Sequence, residues 1–180
     1  MQPNTNNFIT MRKIGIAAIA LTVLTACNDK IGFVDNTKLL NDYKEKQDIE
    51  AALKIQINAF EKKRDSIEFA FNEEVKKFQA QTNNLSPEQA KRKYNELQQK
   101  QNILGQHLQQ QQEQIRLESQ NQMDSLLVKV KRNIEAYGKE KGYTFILGAN
   151  SGGSVLYGKE SKEITKELTE YLNKKYTEKK

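Results

Sequence analysis

The chain has 180 residues, enough for one domain plus a targeting segment, with 29 basic against 23 acidic residues and a formal charge of +6. Hydrophobic residues make up only 37% and Trp is absent, yet the apolar positions recur with a helical period, which argues against disorder. The single cysteine, Cys27, excludes an intrachain disulfide framework and a cysteine-based zinc site, and the single histidine, His107, excludes an imidazole cluster within one chain.

The polar stretch Met1–Thr10 precedes a second methionine, so Met11 is the expected start. Met11-Arg12-Lys13 is a short positive region, and Ile14–Leu24 is an apolar run too short to span a bilayer but of the size of a signal-peptide core. The run ends in Leu24-Thr25-Ala26-Cys27, which resembles the lipobox of bacterial lipoproteins. That resemblance implies lipidation of Cys27 as the first mature residue, a signal peptide over 1–27 and a single domain over 28–180. Several acyl chains, at about 0.8 kcal/mol per buried CH₂, give a durable tether. The expected location is the periplasm, anchored to a cell-envelope membrane, with inner and outer membrane both open. Losing Arg12 and Lys13 takes the 29 basic residues to 27 against the same 23 acids, a charge of +4. That balance is too weak to argue for nucleic acid, and no nucleic-acid partner is expected.

In chain order, Ile31-Gly32-Phe33-Val34 predicts a strand over 31–35, with Asp35-Asn36-Thr37 turning into a helix. From residue 37 to 141 the only proline is Pro87 and the only glycines are Gly105 and Gly138. Two helical arms running back on each other at Ser86-Pro87 would reach roughly 70 Å and 80 Å at about 1.5 Å per residue. Leu53, Ile57, Phe60, Ile67, Phe71 and Phe78 form an amphipathic stripe of coiled-coil type, flawed by Arg64 in one seam position. Ser86, Pro87 and Gln89 predict a capping box that starts the second helix.

The middle of the second helix is unusual. Residues 98–122 hold eleven Gln, and Leu97, Leu104, Leu108 and Ile115 alternate with Gln101, Gln111 and Gln122 along one seam. A tight coiled coil wants apolar residues at most such positions, so the arm should zip weakly. Gly105 is either a flex point or a tolerated surface glycine. Further on, Tyr143–Leu147 predicts a strand, Gly148–Gly153 a loop and 154–158 a returning strand, giving a hairpin. Ser161 is positioned to cap a final helix over 162–176, with Ile164, Leu168, Tyr171 and Leu172 on one face. The fold class is therefore mainly α with a small β body, from which a long antiparallel helical hairpin (about 37–141) projects. Such a body, about forty to fifty residues, is short of core for a monomer, so self-association is expected.

No enzyme emerges from the reactive side chains: no catalytic residue, metal site or cofactor is assigned. His107 has no acidic or cysteine partner at helical spacing, and the Gly148–Gly153 loop lacks the Lys-Ser/Thr of a P-loop. The hairpin tip carries Lys76, Lys77, Lys91, Arg92 and Lys93, either a solvated surface or a contact for anionic lipid or acidic client segments. Phe60, Ile67, Phe71 and Phe78 either pack against Leu97, Leu104 and Leu108 or stay partly open. With Ile115 they are candidates for weak, multivalent contact with unfolded chains.

The order of these elements carries a resemblance. Ile31-Gly32-Phe33-Val34-Asp35-Asn36 is followed by the long hairpin with its basic tip, then Gly142-Tyr143-Thr144-Phe145-Ile146-Leu147 and Val155-Leu156-Tyr157. Glu163-Ile164-Thr165 then opens a helix ending in Tyr171-Leu172-Asn173. Over residues 30–176 this resembles the Skp (OmpH-like) family of periplasmic chaperones. The resemblance implies a jellyfish-shaped homotrimer whose three arms enclose unfolded outer-membrane proteins and prevent their aggregation, using neither ATP nor metal. Two features depart from it: many family members are soluble, whereas Cys27 would tether this chain, and Glu163 stands where the family often has Asp. The alternative expectation is a structural coiled-coil lipoprotein, a spacer or adaptor in the cell envelope.

Overall fold

A short parallel strand pair joins the two ends of the chain at the small end of the molecule. In the computed structural model, which describes residues 29–150 and 155–178, β1 (Ile31–Asp35) pairs in parallel with β2 (Phe145–Ala149). The register runs from Ile31 opposite Phe145 to Asp35 opposite Ala149. Parallel neighbours need a crossover of a dozen residues or more. Here the crossover is the whole arm.

Helix α1 (Asn36–Asn41) starts directly on β1 because the Asp35 carboxylate accepts from the backbone of Thr37 and Lys38, at 2.9 and 3.0 Å. The long helix α2 (Lys44–Gln81) follows only after a break at Asp42-Tyr43, where Tyr43 is extended. The sequence suggested one unbroken helix here. The break follows from burial: it turns the Tyr43 ring fully into the base, at 0% exposure.

At the far end, a short 3-10 turn (Thr82–Asn84) leads to Ser86, and α3 (Pro87–Lys141) returns. The Ser86–Gln89 capping box is formed as expected, with Pro87 in the first turn. Helix α3 stops at Gly142, whose φ of +70° suits glycine, and Tyr143 N–H closes onto the Gly138 carbonyl at 2.8 Å.

Two expectations about the body need correction. The strand expected at 143–147 lies at Phe145–Ala149, because Tyr143 is still engaged in ending α3 and stacks on Tyr137. The returning strand expected at 154–158 is not formed over the described residues 155–158, where Leu156 is 98% and Tyr157 85% exposed. The chain there crosses over the Phe33 ring, so closely that a Cβ on Gly158 would collide with it. The second edge of β1 receives Glu163 as a single parallel bridge, and Ile164 N–H donates to the Phe33 carbonyl at 2.9 Å.

That bridge also displaces the final helix. It begins at Thr165, as α4 (Thr165–Thr177), and not near 162. Glu163 must stay extended to bridge, and Ser161 lies in a separate 3-10 turn and caps nothing. The Thr165 hydroxyl accepts from Asp35 N–H at 3.0 Å, tying α4 to the end of β1.

The core cluster sits at this base. Val34, Leu39, Tyr43, Leu126, Val130, Tyr137, Ile164, Leu168 and Leu172 form one cluster. Helix α4 presents Leu168 and Leu172 to it, with Ile164 just ahead of the helix, as their spacing suggested. By contrast, none of the 38 residues of α2 is buried.

Candidate functional site

The arm is built from the stripe residues, and they do converge. Leu53, Phe60, Arg64, Ile67, Phe71 and Phe78 of α2 are half-buried, as are Leu104, Leu108 and Ile115 of α3, while Leu97 is buried. Ile67 and Phe71 line one cleft with Leu104 and Leu108, and Phe60 lines another with Leu108 and Ile115. These eight candidate residues, Phe60, Ile67, Phe71, Phe78, Leu97, Leu104, Leu108 and Ile115, are thus seam residues first.

The seam is open in its middle. The cleft between Leu53, Ile57 and Phe60 on one side and Leu108 and Ile115 on the other has a volume of about 610 Å³, and a neighbouring cleft of about 310 Å³ adjoins it. Gly105 lines both, and a Cβ placed on it would meet nothing within 4 Å. The glycine is therefore not required by crowding; it leaves space where a side chain would have filled it. Gln111 is half-buried in the same seam, with its Oε1 buried and unpaired among the described residues. Glutamines in the seam put polar amides where a zipper wants apolar side chains, so they thin it.

Polar clasps hold the hairpin at three levels. Glu74 bridges to Lys93 at 3.5 Å and to Lys100 near the tip, Gln56 donates to Glu118 at 3.0 Å, and Lys129 pairs with Glu45 at 2.6 Å near the base. The hydrogen bond from Lys100, then its charge, holds the Glu74 carboxyl below the ordinary range.

Apolar surface that is open lies off the stripe. Ile55, Phe69, Tyr94 and Ile103 are all exposed, Phe69 to 68%. Reading the heptad stripe missed them, because a seam argument collects what faces the partner helix. The signal was present as large apolar residues between stripe positions.

The five tip cations divide into two groups. Lys76 pairs with Glu73 at 2.8 Å, and Lys93 lies between Glu74 and Glu96 at 3.5 and 3.4 Å. Lys77, Lys91 and Arg92 are exposed and form no ion pair among the described residues. Cys27 lies outside the described residues. His107 is exposed, and no group of His, Cys, Asp and Glu suited to a metal ion occurs among the described residues. None of the described helices is long and apolar enough to cross a membrane.

The body offers a second surface. Residues paired across a parallel sheet share a face, so Ile31, Phe33, Phe145 and Leu147 lie together, opposite the face that buries Val34. Ile31, Phe145 and Leu147 are exposed at 40%, 56% and 42%.

This architecture has known relatives. A family model described as outer membrane protein (OmpH-like) matches residues 30–172. The crystal structure of a candidate outer membrane chaperone (OmpH-like) from Caulobacter crescentus CB15 is similar, with a TM-score of 0.74 at 14% sequence identity. The likeness covers 82% of this chain and 85% of that one, and at such identity it speaks for the fold. A comparison with curated proteins gives no match.

Proposed function

The chain belongs to the OmpH-like (Skp) family, and on that premise we propose that it is an ATP-independent holdase chaperone for unfolded outer-membrane proteins. The observation that carries this reading is the incompletely closed arm. A spacer would gain from a dry, continuous seam, whereas this hairpin keeps clefts beside Phe60, Ile67 and Phe71 and displays Ile55, Phe69, Tyr94 and Ile103. Scattered apolar sites on a long arm make many weak contacts, which hold a client without imposing a fold on it.

Three arms enclosing one client require a homotrimer. The apolar sheet face of Ile31, Phe145 and Leu147 supports assembly at the body, because two strands alone are marginal and an exposed apolar patch gains by being covered. Exposed Leu156 and Tyr157 add apolar surface at the same end. The unpaired tip cations Lys77, Lys91 and Arg92 supply long-range attraction for acidic client segments or lipid head groups.

Lipidated Cys27 tethers the protein in the periplasm, two residues before the first described residue. Substituting Cys27→Ala should release the protein from the membrane fraction; a variant that stays with the membranes would rule the tether out. The chaperone reading is tested by native mass spectrometry of residues 28–180, with and without an unfolded barrel protein diluted in. A trimer that captures one client and keeps it soluble is expected. An oligomer that ignores the client would instead make this a structural spacer of the envelope.

A further inference from the structure

The break between α1 and α2 leaves a gap in the backbone hydrogen bonding at the point where the arm leaves the body. Tyr43 occupies the N-cap position of α2 and has no side-chain cap to offer, since its hydroxyl donates to Glu45. The first amide of a helix has no partner inside the helix, so Lys44 N–H needs an acceptor from elsewhere. It finds one on α4: Lys44 N–H donates to Asn173 Oδ1 at 2.8 Å. The same amide group returns a hydrogen bond, Asn173 Nδ2 to the Asp42 carbonyl, at 3.2 Å. Because Lys44 N–H can only donate and the Asp42 carbonyl can only accept, the two bonds together fix which amide atom faces which.

A second tie lies one turn along both helices. Tyr176, three residues after Asn173, donates to Asp48 Oδ2 at 2.8 Å, four residues after Lys44. The Tyr176 ring also meets the Tyr43 ring edge-on, with centroids 6.3 Å apart. The opposite helix is bound to the same place, because Lys129 of α3 pairs with the Glu45 carboxylate that accepts from Tyr43. Behind this contact α4 is held by Leu168 and Leu172, both with no exposure, so it is a firm support.

We propose that Asn173 is a positioning residue that docks the start of the arm onto α4, acting as an N-cap supplied from outside the helix and thereby setting the angle at which the arm leaves the body. The consequence for client capture rests on the holdase reading above, since the directions of the arms bound the space that a client would occupy. The docking itself does not.

Hydrogen exchange on the full chain tests it without any client. In the wild-type protein the Lys44 amide should be protected, although a first-turn amide is ordinarily open to solvent. Asn173→Ala should speed its exchange about tenfold, the factor that one hydrogen bond of ordinary net strength supplies. Amides of Leu168 to Leu172 should be unaffected. Asn173→Asp keeps an acceptor for Lys44 N–H and should preserve that protection, which a side chain acting only by packing has no reason to do. Unchanged Lys44 exchange in Asn173→Ala would overturn the proposal. So would an equal acceleration throughout α4, which would make Asn173 a residue of general stability. Suppression of aggregation of an unfolded barrel protein by the wild-type chain tests the holdase reading separately, so either idea can fail alone.

Discussion

The base and the arm obey different packing rules. At the base, Tyr43, Leu168 and Leu172 are completely buried, and four elements converge on them. Along the arm, residues of the same chemical kind, such as Phe60, Ile67 and Phe71, reach only half-burial, because two helices can cover one another on a single side. A third layer is what turns a stripe into a core. The body has one and the arm does not, so stability is concentrated at one end and accessible apolar surface at the other.

The sharpest way to break that contrast is to truncate one residue of each kind. Leu168→Ala should destabilise the protein by about 2–5 kcal/mol in denaturant unfolding, as deletions in a packed core do. Phe71→Ala, although it removes more atoms, should cost less than about 2 kcal/mol, because its ring is only partly withdrawn from water. Equal losses would mean that the arm is as well packed as the base.

Gly105 sharpens the comparison from the other side. A Cβ there meets nothing within 4 Å, so Gly105→Ala should stabilise the arm by about 1 kcal/mol through helix propensity alone. Thermal unfolding measures the gain. A loss would reveal that the space beside Gly105 is needed.

The base should respond to alkali through Tyr43. Burial first, then the hydrogen bond to Glu45, raises the Tyr43 hydroxyl well above its ordinary value. A group whose folded pKa is raised stabilises the fold below its unfolded pKa, about 10 for tyrosine, and that contribution is lost as pH rises beyond it. The melting temperature of the wild type should therefore fall more steeply above about pH 10 than that of Tyr43→Phe. Parallel curves would show that Tyr43 is not the group concerned.

The smallest effect should come from the tip. Glu74→Gln removes the ion pairs with Lys93 and Lys100, but these are exposed to water and screened by salt, so melting should shift only marginally. Replacing Lys91, Arg92 and Lys93 with Glu should likewise leave stability almost untouched, while weakening sedimentation with anionic liposomes. Unchanged liposome binding would rule out a membrane role for these cations.

Much of the arm was legible because its signals are local. The stripe from Leu53 to Phe78 places those residues in the seam, and Ser86, Pro87 and Gln89 mark the turn within four residues. The candidate contact residues were less legible. Periodicity picked out Phe60, Ile67 and Phe71, which face the partner helix, and passed over Phe69 and Ile103, which face water. Periodicity reports what a helix can bury, not what it leaves uncovered.

By itself, the sequence determined that two long helices make the arm, the position of the tip and the apolar face of α4. Each rests on contacts within a turn or two of helix, where propensity, capping and spacing suffice. Only the tertiary structure decided that β1 pairs in parallel with a strand more than a hundred residues away, that Glu163 bridges the other edge of β1 while residues 155–158 form no strand, and that Asn173 completes the start of α2. Those outcomes depend on which distant groups arrive at an unpaired N–H or C=O, and such groups carry no sequence signal at the place where they act.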